Sequence, residues 1–370
     1  MKIVGIIVEY NPFHNGHLHH INEVRKKSGA DVLIAVMSSS ITMRGELSIF
    51  DKFTKTKQAL EASCDIVIEL PFVLACQNSD LFAKHTVKML ANAKVEEIWI
   101  GSESNDPKTF EKAYIEFNKP DVDDKIKAHL KRGLSYKMAT NLIYPLQSND
   151  LLGYSYYKAI KAGNHNIKLL TIQRAGDDYL NKKPSNNGFA SAMSIRGNLD
   201  LLEKYTPEFV YKNKNLILND EQLFKFLKFQ IVSKNEEYLS NLFFAEEGLE
   251  NKLKEITKYN DLDSFVNSLT SKRYTASRIR RFLMYVLFDI TKNQMNDILS
   301  HDLDFIRVLG FNETGQAFLS NIKKELTIYT NIKDGDDPIL DIEFRISKIL
   351  DAIYGLNLSE NEQTIIRYNK

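Results

Sequence analysis

Four of the eight histidines in this 370-residue chain fall within seven positions, His14, His17, His19 and His20, inside the stretch GIIVEYNPFHNGHLHH. Imidazoles gathered this closely suit three chemistries. They could ligate zinc, although no cysteine lies nearby and the spacing matches no familiar ligand set. They could be surface side chains at a helix start. Or they could bind phosphate. The β-branched run Lys2–Tyr10 ends in a turn at Asn11 and Pro12, and a helical pattern opens near Gly16-His17. At such a junction backbone N–H groups point at an incoming anion, and two imidazoles can reach the same phosphates. A glycine at 16 lets a nucleotide approach the backbone. The strand-turn-helix context favours the phosphate reading.

The second chemically suggestive segment is KRYTASRIRRFLMYVLFDI, from Lys272. Ile279, Phe282, Leu283, Val286, Leu287 and Ile290 recur at helical spacing and form an apolar stripe. Arg278 and Arg281 share the opposite face, with Lys272 and Arg273 just before them. Cations at a helix N-terminus oppose the macrodipole, a mismatch an anionic partner relieves. A phosphate backbone fits, with Tyr274 able to stack on a base. A solvated, capped helix face is the competing reading.

The elements that must position these groups are legible. Apolar runs of strand length occur at Lys2–Tyr10, Asp31–Met37, Asp65–Leu70, Glu97–Ile100 and Lys168–Ile172, with helical patterns at 17–28, 52–63, 78–92, 107–117 and 153–162 between them. Such alternation predicts an α/β fold, a doubly wound parallel sheet with helices on both faces. Ligands bind outside the carboxyl ends of such strands, which puts Tyr10–His17, Ser38–Glu46, Gly101–Glu103 and Arg174 on one rim. After about residue 200 strand signals fade and helical periodicity dominates, at Asp220–Ser233, Glu247–Thr257, Leu262–Leu269, Thr275–Leu287 and near 313–325 and 341–353. The division expected is a nucleotide-binding domain over 1–205 and a mainly helical one over 206–370.

Bulk composition, 43% hydrophobic and 26% charged, is that of an ordinary globular protein, and the net charge of +1 by itself says nothing about a polyanionic partner. No leader-like or membrane-spanning stretch appears, so the chain reads as cytoplasmic. Cys64 and Cys76 have no ligand spacing and read as core residues.

His-x-Gly-His directly after a first strand resembles the signature of the nucleotidyltransferase and class I aminoacyl-tRNA synthetase (HIGH) superfamily. Its second signature is a Ser- and basic-rich loop late in the domain, and Ser191-Ala-Met-Ser194-Ile-Arg196 is similar to it. Alone that string is a common helix N-cap pattern. A closer resemblance rests on EYNPFHNGHLHH, MRGE (43–46), DIVIELP, IGSE (100–103), SNDLLGYSYYKAI, IQR, FASAMSIR and KRYTASRIRRFL. Together these resemble the bacterial tRNA(Met) cytidine acetate ligase family. The resemblance implies that ATP and acetate give acetyl-adenylate, and that acetyl then passes to N4 of the wobble cytidine of elongator tRNA(Met). Mg²⁺ is expected with the ATP, though no carboxylate cluster nominates itself as a metal ligand.

The resemblance implies ATP contacts from Ile7, Val8, Glu9, Tyr10, Asn11, Pro12, Phe13, His14, Asn15, Gly16, His17, Leu18, His19 and His20, and from Gly101, Asn149 and Arg174. Adenylation needs cationic or N–H donors around the triphosphate. His14, His17, Ser194 and Arg196 are the candidates for that work, with Arg44 and Lys52 secondary and Glu9 and Tyr10 near enough to meet acetate. The RNA candidates are Lys272, Arg273, Tyr274, Arg278 and Arg281. The sequence departs from the family pattern at Ser39-Ser40 (often Gly-Asn), at Lys55 (typically Arg) and at Asp150 after Asn149. Two other readings compete. One is a nucleotidyltransferase acting on a small metabolite, against which the long basic second half argues. The other is an RNA-binding protein with a degenerate nucleotide fold, against which the intact HNGH and Ser194/Arg196 pair argues.

Overall fold

A computed structural model describes residues 1–174, 188–246, 248–333 and 335–369; Glu247, the expected start of one helix, lies outside them. Five parallel strands come first: β1 (Ile3–Val8), β2 (Val32–Ser38), β3 (Ile66–Leu70), β4 (Glu97–Ser102) and β5 (Lys168–Gln173). Their spatial order is β5-β4-β1-β2-β3. The chain moves outward from β1 to β3 and then returns to the far side of β1 at β4. Because crossovers are right-handed, this reversal puts the earlier and later helices on opposite faces. β2 and β3 are buried along their whole length, as double-sided helical cover requires.

The crossovers include α1 (Asn15–Ser28), α2 (Lys52–Glu61), α3 (Ser79–Asn92) and α4 (Ser148–Ala162). α4 lies tightly on β4 because residue 153 is glycine. A Cβ there would come within 2.6 Å of Ile100 Cδ1 and 2.7 Å of the Phe110 ring. Two short helices at Val122–Lys131 and Tyr136–Asn141, unforeseen in the sequence reading, carry a small separate cluster of Val122, Ile126 and Ala139.

Beyond residue 190 come α5 (Ala192–Gly197), α6 (Ala276–Leu287) and α7 (Pro338–Tyr354) among other helices. Here one expectation fails. Strands do not end by residue 200: β6 (Phe305–Asn312), β7 (Thr327–Tyr329) and β8 (Ile366–Tyr368) extend the same sheet. β6 pairs antiparallel with β3, with a bulge between Val67 and Ile68, and β7 and β8 pair with β6. β7 and β8 have three residues each, too few for a period-two pattern to register. One contiguous set of buried apolar residues runs from Ile3 to Leu358.

Candidate nucleotide site

The reversal between β1 and β4 opens a crevice at the strands' carboxyl ends, where doubly wound sheets bind ligands. A cavity of about 270 Å³ occupies it. Ile7 and Val8 of β1, Ile100 and Gly101 of β4, and Ile172 and Gln173 of β5 form its floor.

His14 is the N-cap of α1, and its Nδ1 accepts the Gly16 N–H at 3.1 Å. His17 Nδ1 in turn accepts the His14 N–H at 3.2 Å. This capping box is built from two imidazoles whose rings stack with centroids 3.7 Å apart. The backbone cradle expected at this helix start is therefore partly filled by the protein itself. Each Nδ1 being an acceptor, the proton of each neutral ring sits on Nε2. The rings, rather than the Gly16 and His14 amides, present N–H groups to the cavity. Burial, reinforced by the Arg174 guanidinium, lowers the His14 pKa to about 3. Burial, His14, His20 and Arg174 hold His17 well below the ordinary value. Burial lowers His20 to about 4, helped by His19 and Arg174. These imidazoles are neutral donors at pH 7.

Arg174 and Arg196 line the cavity. Arg196 donates to the Asn11 carbonyl at 2.6 Å and to Glu46 Oε2 at 2.9 Å. Ser191 Oγ caps α5 by accepting the Ser194 N–H at 3.1 Å. The Ser194 hydroxyl lies 3.1 Å from Ser191 Oγ, buried beside the cap. Ser191 lines the cavity; Ser194 does not.

A small hairpin closes the opposite wall. Ile41 bridges Leu47, and Gly45 donates to the Thr42 carbonyl. Met43 donates its N–H to Glu9 Oε1 at 2.6 Å, and Asn11 clasps the hairpin's far end through Leu47 O and Ile49 N. Gly45 has φ +75°, and a Cβ there would meet the Arg281 backbone nitrogen at 2.5 Å. The hairpin thus packs against the first turns of α6. Below it, Lys55 Nζ donates to the carbonyls of Glu9, Ser38 and Ser39 and to Ser48 Oγ. Lys55 joins the ends of β1 and β2; burial lowers its pKa to about 8.

On the β4 side, Glu103 accepts the N–H groups of Asn149 and Asp150 at the start of α4, where a carboxylate complements the helix dipole. Asp150 accepts from Ser102 Oγ at 2.6 Å and from the Ser104 N–H at 3.0 Å, holding the loop after Gly101. The family departure at Asp150 is thus a loop staple, with Asn149 left on the cavity wall.

A model of the HIGH Nucleotidyl Transferase family matches residues 1–364. The tRNA(Met) cytidine acetate ligase of Geobacillus sp. (strain WCH70) is 37% identical, over 96% of this chain and 95% of the relative. The protein of that name from Bacillus subtilis (strain 168) is 33% identical, over 98% and 94%. The chain belongs to this ligase family. Among solved structures, Thermotoga maritima TmcAL bound with alpha-thio ATP superposes with a TM-score of 0.85 at 28% identity, covering 100% of both chains. The apo form of that protein gives 0.86 at 27% identity, again over 100% of both.

The expected contacts of the first loop divide. Ile7, Val8, Glu9, Tyr10, Asn11, His14, Gly16, His17, His19 and His20 line the cavity, whereas Pro12, Phe13, Asn15 and Leu18 do not. Phe13 is buried beneath the His17 and Tyr10 rings, and Asn15 Nδ2 reaches Gly188 O at 3.4 Å. Gly101, Asn149 and Arg174 line the cavity. Lys52 is not a phosphate ligand here: it is sealed in an ion cluster with Glu69, Glu343 and Glu362. Arg44 is not among the lining residues. Sequence reading passed over the apolar wall of Phe82, Leu152 and Tyr156, whose helical spacing is indistinguishable from ordinary core. It also passed over Glu46, although the MRGE match contained it.

The apolar stripe of α6 is buried, and Ile290 just past the helix is buried too. The cations are less free than a solvated face implies. Arg278 pairs with Glu246 at 2.5 Å, Arg280 with Asp263, and Arg281 Nη1 lies 3.5 Å from Met43 O. Tyr274 lies under the Arg278 guanidinium, 5.1 Å from its ring centroid; Lys272 and Arg273 are exposed. Cys64 and Cys76 are buried free thiols, as expected; burial pushes Cys64 up to about 12.

Proposed function

We propose that this protein is an ATP-dependent tRNA(Met) cytidine acetate ligase, in which acetate attacks the α-phosphate of ATP and the resulting acetyl-adenylate acylates cytidine N4. One observation carries the reading: neutral imidazoles of His14 and His17 and the guanidiniums of Arg174 and Arg196 converge on one cavity at the β1/β4 reversal. Such fixed donors stabilise charge moving onto pyrophosphate. Gly101 and Asn149 supply the wall for the nucleoside. The loop carrying Ser194 acts through α5, presenting Arg196.

The work divides near residue 205, nucleotide chemistry before it and RNA binding on the helical surface after it. Lys272, Arg273, Tyr274, Arg278 and Arg281 form that RNA surface, adjoining the adenylate through the 41–47 hairpin. Among the described residues no group of three or more His, Cys, Asp or Glu side chains could hold a metal ion, so Mg²⁺ would enter held by triphosphate oxygens and water. No helix among the described residues is long and apolar enough to cross a membrane; action on tRNA would place the protein in the cytoplasm.

The test incubates the protein with ATP, labelled acetate and bulk tRNA, then digests the RNA. The expected result is N4-acetylcytidine, absent with His17→Ala. Adenylation of small metabolites alone, or RNA binding without label, refutes the proposal.

A further inference from the structure

The acyl transfer needs a proton acceptor. We propose that Glu9 is the general base that takes the proton from the cytidine N4 amine, an inference that rests on the ligase reading above. In the step, N4 attacks the carbonyl carbon of acetyl-adenylate. The new C–N bond forms, the C–O bond to phosphate breaks, and AMP departs with its electron pair. The N4 proton passes to a Glu9 carboxylate oxygen.

The case is one of elimination and position. His14 and His17, the obvious bases, have no lone pair to offer. Each Nδ1 accepts a backbone N–H and each neutral ring carries its proton on Nε2. Lys55 Nζ is engaged by four acceptors. Among the described residues two carboxylates line the cavity, Glu9 and Glu46, and Glu46 is paired with Arg196. Glu9 differs. Its Oε1 accepts from Ser38 Oγ at 3.2 Å and from the Met43 N–H at 2.6 Å, which fixes the carboxylate plane. Among the described residues its Oε2 accepts no hydrogen bond, and that atom is not sealed within the protein. It is a positioned carboxylate oxygen open to the cavity.

Its location suits a base that meets RNA. Met43, which holds Glu9 through its N–H, turns its carbonyl toward Arg281 of α6. Glu9 therefore lies on the wall of the nucleotide cavity and reaches the basic helix through one intervening residue, Met43. Burial raises its proton affinity, as a base working near neutrality requires. The Met43 N–H, Arg44 and Lys55 oppose that rise and Glu46 adds to it. Tyr156 and Cys76 face it as neutral groups, their own protons held more tightly by burial.

The test separates the two half-reactions in the full-length enzyme. Glu9→Gln keeps the size of the side chain and an acceptor for the Met43 N–H. Acetate-dependent ATP–pyrophosphate exchange reads adenylation, and single-turnover transfer of labelled acetyl from the enzyme to tRNA reads the second step. Transfer is expected to slow about 100-fold or more, with exchange slowing at least about tenfold less than transfer. Wild-type transfer rises with pH along an acid limb, and the glutamine variant loses that limb. Glu9→Asp recovers part of the rate. Equal losses in both half-reactions, wild-type transfer by the glutamine variant, or an acid limb that persists in it overturns the proposal alone. A wild-type enzyme that labels no tRNA overturns the ligase reading and this proposal with it.

Discussion

Lys52→Met removes a cation from the most charged place in the core. Lys52 Nζ lies 2.6 Å from Glu69, 3.1 Å from Glu343 and 2.5 Å from Glu362, all buried. Burial disfavours its charge, but the three carboxylates outweigh that and keep it protonated. Arg307 completes the cluster, 3.2 Å from Glu362 and 3.9 Å from Glu69. Three carboxylates against two cations leave one excess negative charge, so one carboxyl retains a proton. Burial, together with Glu343 and Glu362, raises Glu69 to about 8 against the pull of Lys52 and Arg307. Glu362 is held lower by Lys52 and Arg307 in spite of its burial.

Breaking a buried pair by removing one partner costs roughly 3–5 kcal/mol. An unfolding entropy of about 2.1 cal/mol/K per residue over this chain makes that about 4–6 °C in melting temperature. The sign with pH follows from Glu69. A carboxyl raised from 4.5 to about 8 contributes stability that is complete below 4.5 and lost as pH rises through about 8. Without Lys52 the carboxyls hold their protons more tightly still, so the melting deficit widens above neutrality and narrows near pH 5. Calorimetry of both proteins across that range is the assay. A variant that melts within about 1 °C of wild type, or a deficit indifferent to pH, refutes the reasoning. A variant that stays folded but loses ATP affinity would restore Lys52 to the nucleotide site.

Four further outcomes follow from the site. His17→Ala removes an Nε2–H donor and half of the α1 capping box, so acetate-dependent pyrophosphate exchange should fall by about 10²–10³. Because His14 titrates near 3 and His17 well below 6.5, neither imidazole should change charge between about pH 5.5 and 8; ring-proton NMR that shows either one titrating near 6.5 refutes the neutral-donor assignment. The depressed imidazoles contribute stability present above about 6.5 and lost as pH falls toward 3. Gly45→Ala combines φ +75° with a 2.5 Å clash on the Arg281 backbone, so denaturant titration should show a loss of about 1–3 kcal/mol. Replacing Arg278 and Arg281 together with alanine should weaken tRNA binding more than ATP binding and flatten its log–log salt dependence by about one to two, measured by filter binding; an unchanged slope removes the RNA surface from α6.

Much of this protein was set by local sequence. The five parallel strands were legible because each is centred on a short apolar run, the composition that double-sided burial demands of β2 and β3. The strand-turn-helix placement of HNGH was legible for the same reason, as was the buried stripe of α6. Local pattern could not reveal which nitrogen of each histidine faces the cavity. That depends on the backbone amides of residues 14 and 16 folding back onto the rings. Nor could it separate Lys52 from Lys55, two lysines three apart on one helix. One is sealed by carboxylates from residues 69, 343 and 362, the other by four oxygens at the ends of β1 and β2. β6 likewise finds its partner β3 across more than 230 residues. Sequence by itself determined what each segment is, because propensity and hydrophobic period are local. Only tertiary structure decided which charges are sealed in pairs and which face the cavity, because burial and partner are properties of the whole chain.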